Sequence, residues 1–153
     1  MLLAETIKNN GYEVLASVIL ANVIAQIVKT IIYSSVRKRI MWHMLINTGG
    51  MPSSHSSSIV ALACSTGLIA GFDSVSFSIA LTMSAVVMYD SAGIRRSAGR
   101  QAAALNKIIH ELPDGHDLKE VSLKELLGHS PREVLAGAVL GVAVSFAVHL
   151  FVI

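Results

Sequence analysis

The sequence is short of charge. Only 14% of its 153 residues are Asp, Glu, Lys or Arg, against about 25% in soluble domains, while 53% are hydrophobic and the mean hydropathy is +0.63. That deficit argues against a soluble globule and points to a chain whose solvent is largely lipid. There is one cysteine, Cys64, inside an apolar run. A lone thiol closes no internal disulfide, so no oxidised scaffold is expected and Cys64 reads as packing. The opening "MLLAETIKNNGYEV" lacks the basic start, short apolar stretch and small-residue cleavage site of a signal peptide, so nothing is expected to be removed. Internal repeats, low-complexity tracts and heptads are also missing from the pattern.

What is present is a set of four apolar segments near the roughly 20-residue length of a membrane span, at residues 14–34, 56–70, 75–89 and 134–153. The middle two reach span length only with their polar flanks, from Ser53 or His55 at one end to about Ala92 at the other, with a tight turn at "GFDS" between them. The expected fold is all-α, an integral membrane bundle of about four transmembrane helices with a cytoplasmic amphipathic helical insertion, forming one membrane domain over residues 1–153. A soluble bundle would need polar faces that the first and last segments do not have.

The insertion is the polar stretch at about residues 93–133. Within "SAGRQAAALNKIIHEL", Ala102, Leu105, Ile109 and Leu112 fall at helical spacing, which predicts an amphipathic helix at the membrane surface. "PDGHD" reads as a turn and "SLKELL" as another short helix. Arg37, Lys38 and Arg39 follow the first span, and Arg95, Arg96, Arg100, Lys107, Lys119, Lys124 and Arg132 lie between the third and fourth. With four spans these share one face, leaving only Lys8 on the other side and Lys29 within a span. The positive-inside rule then makes that face cytoplasmic, in a bacterial-type cytoplasmic membrane, with both termini outside.

Polar groups converge on the same face. Lys29 lies inside the end of the first span, where an ionisable group is either a lysine snorkelling to the headgroups or a functional one. "GGMPSSHSSS" (49–58) puts glycines, Pro52 and serines at a helix start, where unpaired N–H groups and the positive dipole end suit an anion. His55 would be a proton donor beside it, although for this stretch taken alone an ordinary cap by Ser53 or Ser54 is the stronger reading. "GHSPREVLAG" (128–137) places Ser130 and Glu133 as a capping box with Pro131 at the first helical position. His129 and Glu133 are also four apart, so the carboxylate can hold one ring nitrogen and leave the other free to attack. "YDSAGIRRSAGR" supplies Asp90, Arg95, Arg96 and Arg100, a phosphate clamp or a plain basic flank, with Asp90 stabilising an arginine or serving a metal.

Together "PSSH" and "GHSPREVLAGAVLG" resemble the second and third motifs of the type 2 phosphatidic acid phosphatases, a superfamily that includes the vanadium-dependent haloperoxidases. "GGMPSSHSSS", "MYDSAGIRRSAGRQAAALN" and "LLGHSPREVLAG" extend the resemblance over nearly the whole chain, to the divergent membrane branch of that superfamily. The resemblance implies that His129 attacks phosphorus, oriented by Glu133, that His55 protonates the leaving oxygen, and that Lys29 and Arg37 bind phosphate oxygens. Three departures stand out. Seven residues rather than six separate Lys29 from Arg37, with Lys38 instead of proline after it; Ser54 replaces the glycine before His55; and Leu123 stands where an arginine precedes His129 by six residues. An insertion splitting the third motif, with Arg95 or Arg96 reaching the site from the third span, accounts for the last.

The expected activity is hydrolysis of a lipid phosphate or lipid diphosphate at the cytoplasmic interface through a phosphohistidine, with Ser53 and Ser54 amides in the phosphate cradle. No cofactor or metal is required, and the expected partners are the lipid phosphate and membrane lipids, not nucleic acid, with homo-oligomers left open. The alternative is a non-catalytic protein binding an anionic headgroup or anion, as a scaffold or transporter subunit. A metal-assisted hydrolase centred on Asp90 lacks companion carboxylates, and haloperoxidase activity lacks a soluble cofactor pocket.

Overall fold

The computed structural model describes residues 9–45, 49–111, 123 and 128–152. Among them there are helices and no strand: α1 (Gly11–Arg37), α2 (Ser54–Ala70), α3 (Val75–Ala92), α4 (Ile94–Glu111) and α5 (Pro131–Ala147), which continues into a π-helical turn at Val148–Val152. A single 3-10 turn, Trp42–Leu45, follows α1. Local chemistry sets the helix starts. Asn10, Ser53, Ser74 and Ser130 each sit in extended backbone and accept a first-turn N–H through the side chain, the capping role suited to short polar residues. Gly71, at φ 92°, lets the chain leave α2, and Ser74 starts α3 three residues later, as the "GFDS" turn predicts.

The four expected spans appear as three helical stretches long and apolar enough to cross a membrane (α1, the joined α3 and α4, and α5 with its π turn) plus the shorter α2. At about 1.5 Å per residue, 17 residues of α2 reach about 25 Å, short of a hydrocarbon core of roughly 30 Å. α2 is the central helix, packed against α5, α1 and α3.

The interior is built from small residues and the large apolar ones face outward. Ala21, Ala25, Ala61, Ser57 and Ser145 are buried, while Ile19, Ile27, Ile31, Val139, Phe146 and Leu150 are exposed. This inversion of a soluble core is what a lipid solvent selects, because lipid tails solvate Ile and Phe as well as a core does and close helix approach then drives association. Gly137 lies against the carbonyl of Ser53, and Gly141 against that of Ser57, so tightly that a Cβ on either would collide with backbone. Hydroxyls complete the contacts: Ser57 Oγ donates to Ala21 O at 2.9 Å, Ser84 Oγ to Ile59 O at 2.7 Å and Ser145 Oγ to Ala61 O at 3.1 Å.

At the end of the bundle where α1 begins, Glu13 is fully buried and pairs with His149 Nδ1 at 2.6 Å, while the Asn9 N–H donates to its other oxygen. This contact, between residues 136 apart, pins the start of α1 to the π turn after α5.

α4 forms over the expected amphipathic stretch. Gly99 and Ala102 are buried and Asn106 and Ile109 half-buried, whereas Leu105 is exposed; Leu112, "PDGHD" and most of "SLKELL" lie outside the described residues. The Asn106 amide donates to Leu123 O (2.8 Å) and accepts from Leu123 N (2.9 Å).

Glycine seams of this kind leave no room for a side chain. Gly141→Leu should destabilise the bundle by about 1–3 kcal/mol or more, the range for overpacking, whereas lipid-facing Leu135→Ala should leave helix content and thermal midpoint in detergent close to wild type; equal midpoints for the two variants contradict the packing described.

Candidate active site

Two helix starts, one kink and the later turns of α1 assemble the site. Residues 128–130 form the corner before α5, where Ser130 caps the helix by accepting the Glu133 N–H and the Glu133 side chain accepts the Ser130 N–H at 3.1 Å. The same carboxylate oxygen, Oε2, lies 3.1 Å from His129 Nδ1. An ionised carboxylate only accepts, so Nδ1 carries the proton and Nε2 holds the lone pair. His129 is 3% exposed, and its Nε2 is a buried atom with no hydrogen-bond partner. The sequence left two readings of Glu133, cap and imidazole orienter, and the geometry contains both.

His129 is fixed from a second direction. Its N–H donates to Ser91 O at 2.9 Å, and Gly128, at φ 82°, presses on the backbone of Arg95 and Arg96. Gly93 interrupts the helix between α3 and α4, so the Ser91 carbonyl, in the last turn of α3, is available to a residue from elsewhere in the chain.

His55, in the first turn of α2, faces His129 with ring centroids 6.1 Å apart and planes inclined by 58°. It is half-buried and lies within electrostatic range of Arg95, Lys29 and Asp90. Ser53 is the cap of α2, accepting the Ser56 N–H, and its own N–H donates to Glu133 O at 3.0 Å. Its amide is therefore engaged in holding α5, which corrects the expectation that it would serve an anion. The first-turn N–H groups of Ser54 and His55 remain without an intrahelical acceptor by position.

Lys29 is fully buried, which excludes snorkelling. Its Nζ donates to Gln26 Oε1 at 2.9 Å, with the Glu133 carboxylate within electrostatic range. Gln26, three residues earlier on α1, is a holder of the lysine that the sequence reading missed; its spacing was the available signal. Arg95 Nε pairs with Asp90 Oδ2 at 2.6 Å, the two side chains being 56% and 34% exposed. Asp90 thus stabilises an arginine, one of the two roles open to it.

The structure therefore gathers Lys29, Ser54, His55, Arg95, His129 and Glu133 at one end of the bundle. It leaves Arg37 exposed in the last turn of α1 and Arg96 with an exposed side chain, its backbone alone meeting Gly128. Leu123 offers its backbone to Asn106.

A family model described as "Divergent PAP2 family" matches residues 10–144. The chain is 35% identical over 148 residues to the uncharacterized membrane protein YuiD of Bacillus subtilis, covering 90% of this chain and 94% of that protein. No solved structure matches.

The corner before α5 depends on a residue without Cβ. Gly128→Ala should lower stability by about 1–3 kcal/mol, from positive φ and collision with the Arg95–Arg96 backbone, and Ser130→Ala by about 1 kcal/mol as a lost cap. Denaturant titration in detergent measures both, and a neutral Gly128→Ala contradicts the corner described.

Proposed function

The chain belongs to the divergent PAP2 family, and on that premise we propose that this membrane protein is a phosphatase that hydrolyses a lipid phosphate or lipid diphosphate at the cytoplasmic face through a phosphohistidine. The observation that carries the reading is the state of His129: Nδ1 held by Glu133, Nε2 buried and unpartnered, and a second imidazole facing it 6.1 Å away.

The chemistry follows from that arrangement. His129 Nε2 donates its lone pair to phosphorus, forming an N–P bond as the P–O bond to the leaving group breaks. His55 delivers a proton to the departing oxygen, and Glu133 stabilises the imidazolium-like ring. Water then attacks phosphorus, His55 takes its proton, and the N–P bond breaks to release phosphate and restore His129. Lys29, Arg95 and the Ser54 and His55 amides stabilise the charge on the equatorial oxygens. The cytoplasmic orientation rests on the basic residues flanking this end of the bundle.

A second reading, an anion-binding membrane protein without turnover, is favoured by Leu123 at the arginine position and by the Asp90 carboxylate already holding Arg95. One experiment separates the two. Purified protein in detergent or vesicles should release phosphate from a lipid phosphate in chelator and be inhibited by vanadate. His129→Ala should abolish turnover, and His55→Ala should lower kcat by about 10²–10⁴-fold, the range for general acid–base catalysis. Vanadate binding with no phosphate release across pH supports the second reading; turnover that survives His129→Ala sinks the assigned nucleophile.

A further inference from the structure

We infer that Tyr33 is the positioning residue of the phosphate cradle, acting through Gly50. Tyr33 lies four residues after Lys29 on α1, on the same side of the helix, and is half-buried. The hydroxyl-bearing edge of its ring rests on Gly50: a Cβ there would stand 2.8 Å from Tyr33 Cε2, 3.0 Å from the phenol oxygen and 3.2 Å from Cζ. Gly50 is buried and holds φ 97°, a conformation that side chains rarely adopt. The backbone conformation calls for glycine here, and the Tyr33 ring edge is the neighbour that a side chain would have to displace.

The contact matters because of what the loop carries. From Gly50 the chain passes through buried Pro52 to Ser53, whose N–H holds the Glu133 carbonyl and whose side chain caps α2. The next two residues are Ser54 and His55, the amide donors and the acid. Tyr33 braces this loop from α1, and one turn earlier the same helix presents Lys29. The ring thus fixes the distance between the lysine and the α2 amides, the two donor sets that must close on one phosphoryl group. A shift of about 1 Å in such a set lowers rate by about 10²-fold.

This inference rests on the phosphatase reading, and the test separates the two. The full chain, reconstituted in vesicles, is assayed for kcat and KM on a lipid phosphate, for the vanadate inhibition constant and for thermal midpoint. Tyr33→Phe keeps the ring edge and should stay within about twofold of wild type, whereas Tyr33→Ala should raise the vanadate constant and lower kcat/KM by about 10–100-fold with little change in midpoint. Gly50→Ala should resemble Tyr33→Ala. In the double variant the two effects should fall short of their product, because removing the ring relieves the collision. A wild-type protein that neither binds vanadate nor turns over overturns the phosphatase reading and this role with it. An active wild type with Tyr33→Ala unchanged, or with strictly multiplicative effects, overturns the role of Tyr33 alone.

Discussion

Glu133 is the residue on which fold and site both depend. One carboxylate oxygen accepts from the Ser130 N–H, closing the first turn of α5, and from His129 Nδ1, setting the tautomer of the imidazole. Its backbone carbonyl accepts the Ser53 N–H and so ties the start of α5 to the start of α2. Hydrogen bonds from charged groups and helix ends are among the stronger contributions in a protein, about 1.5–3 kcal/mol for those to charge. Here they are shared: the bonds that begin a helix also orient the side chain beside it. Such a site needs no dedicated scaffold, which fits a chain of 153 residues.

The Glu133–Ser53 bond forms only because α2 and α5 come together without side chains between them. Gly137 and Gly141 admit the Ser53 and Ser57 carbonyls directly. Removing large residues from this seam forfeits hydrophobic contact, but in lipid that contact drives little, since Val139 and Phe146 are equally well solvated facing outward. Serine hydroxyls bonded across to Ala21, Ile59 and Ala61 supply direction instead. The same close packing encloses Lys29, whose burial is tolerable only with partners such as Gln26 and the nearby Glu133 charge.

Much of this was written in the sequence, and the parts that were not have identifiable causes. The helices followed from apolar runs, and two of their starts from Ser53 and Ser130, because caps are local chemistry; the caps at Asn10 and Ser74 were not singled out. The His129 and Glu133 contact followed from their spacing on one helix turn. The Ser53 amide could not be assigned, since its acceptor lies 80 residues away in α5. Gln26 and Tyr33 were passed over, and the contact of Tyr33 with Gly50 exists only once α1 and the loop before α2 come together. The Asn106 clamp on Leu123 was also out of reach, because hydrophobic periodicity does not register an amide contact.

The kink at Gly93 explains why the basic segment follows the third span so closely. In an uninterrupted helix the Ser91 carbonyl would accept from the N–H four residues later, that of Arg95. Ending α3 at Ala92 and restarting at Ile94 leaves that carbonyl open, and His129 N–H takes it. The interruption also brings the Arg95–Arg96 backbone against Gly128, and it lets Arg95 fold back on Asp90 across the break. One local break thus anchors the imidazole and sets a guanidinium within range of His55. On the phosphatase reading proposed above, Arg95 at this kink takes the part of the arginine that the resemblance places six residues before His129, where this chain has Leu123. Leu123 instead gives its backbone N–H and carbonyl to the Asn106 amide.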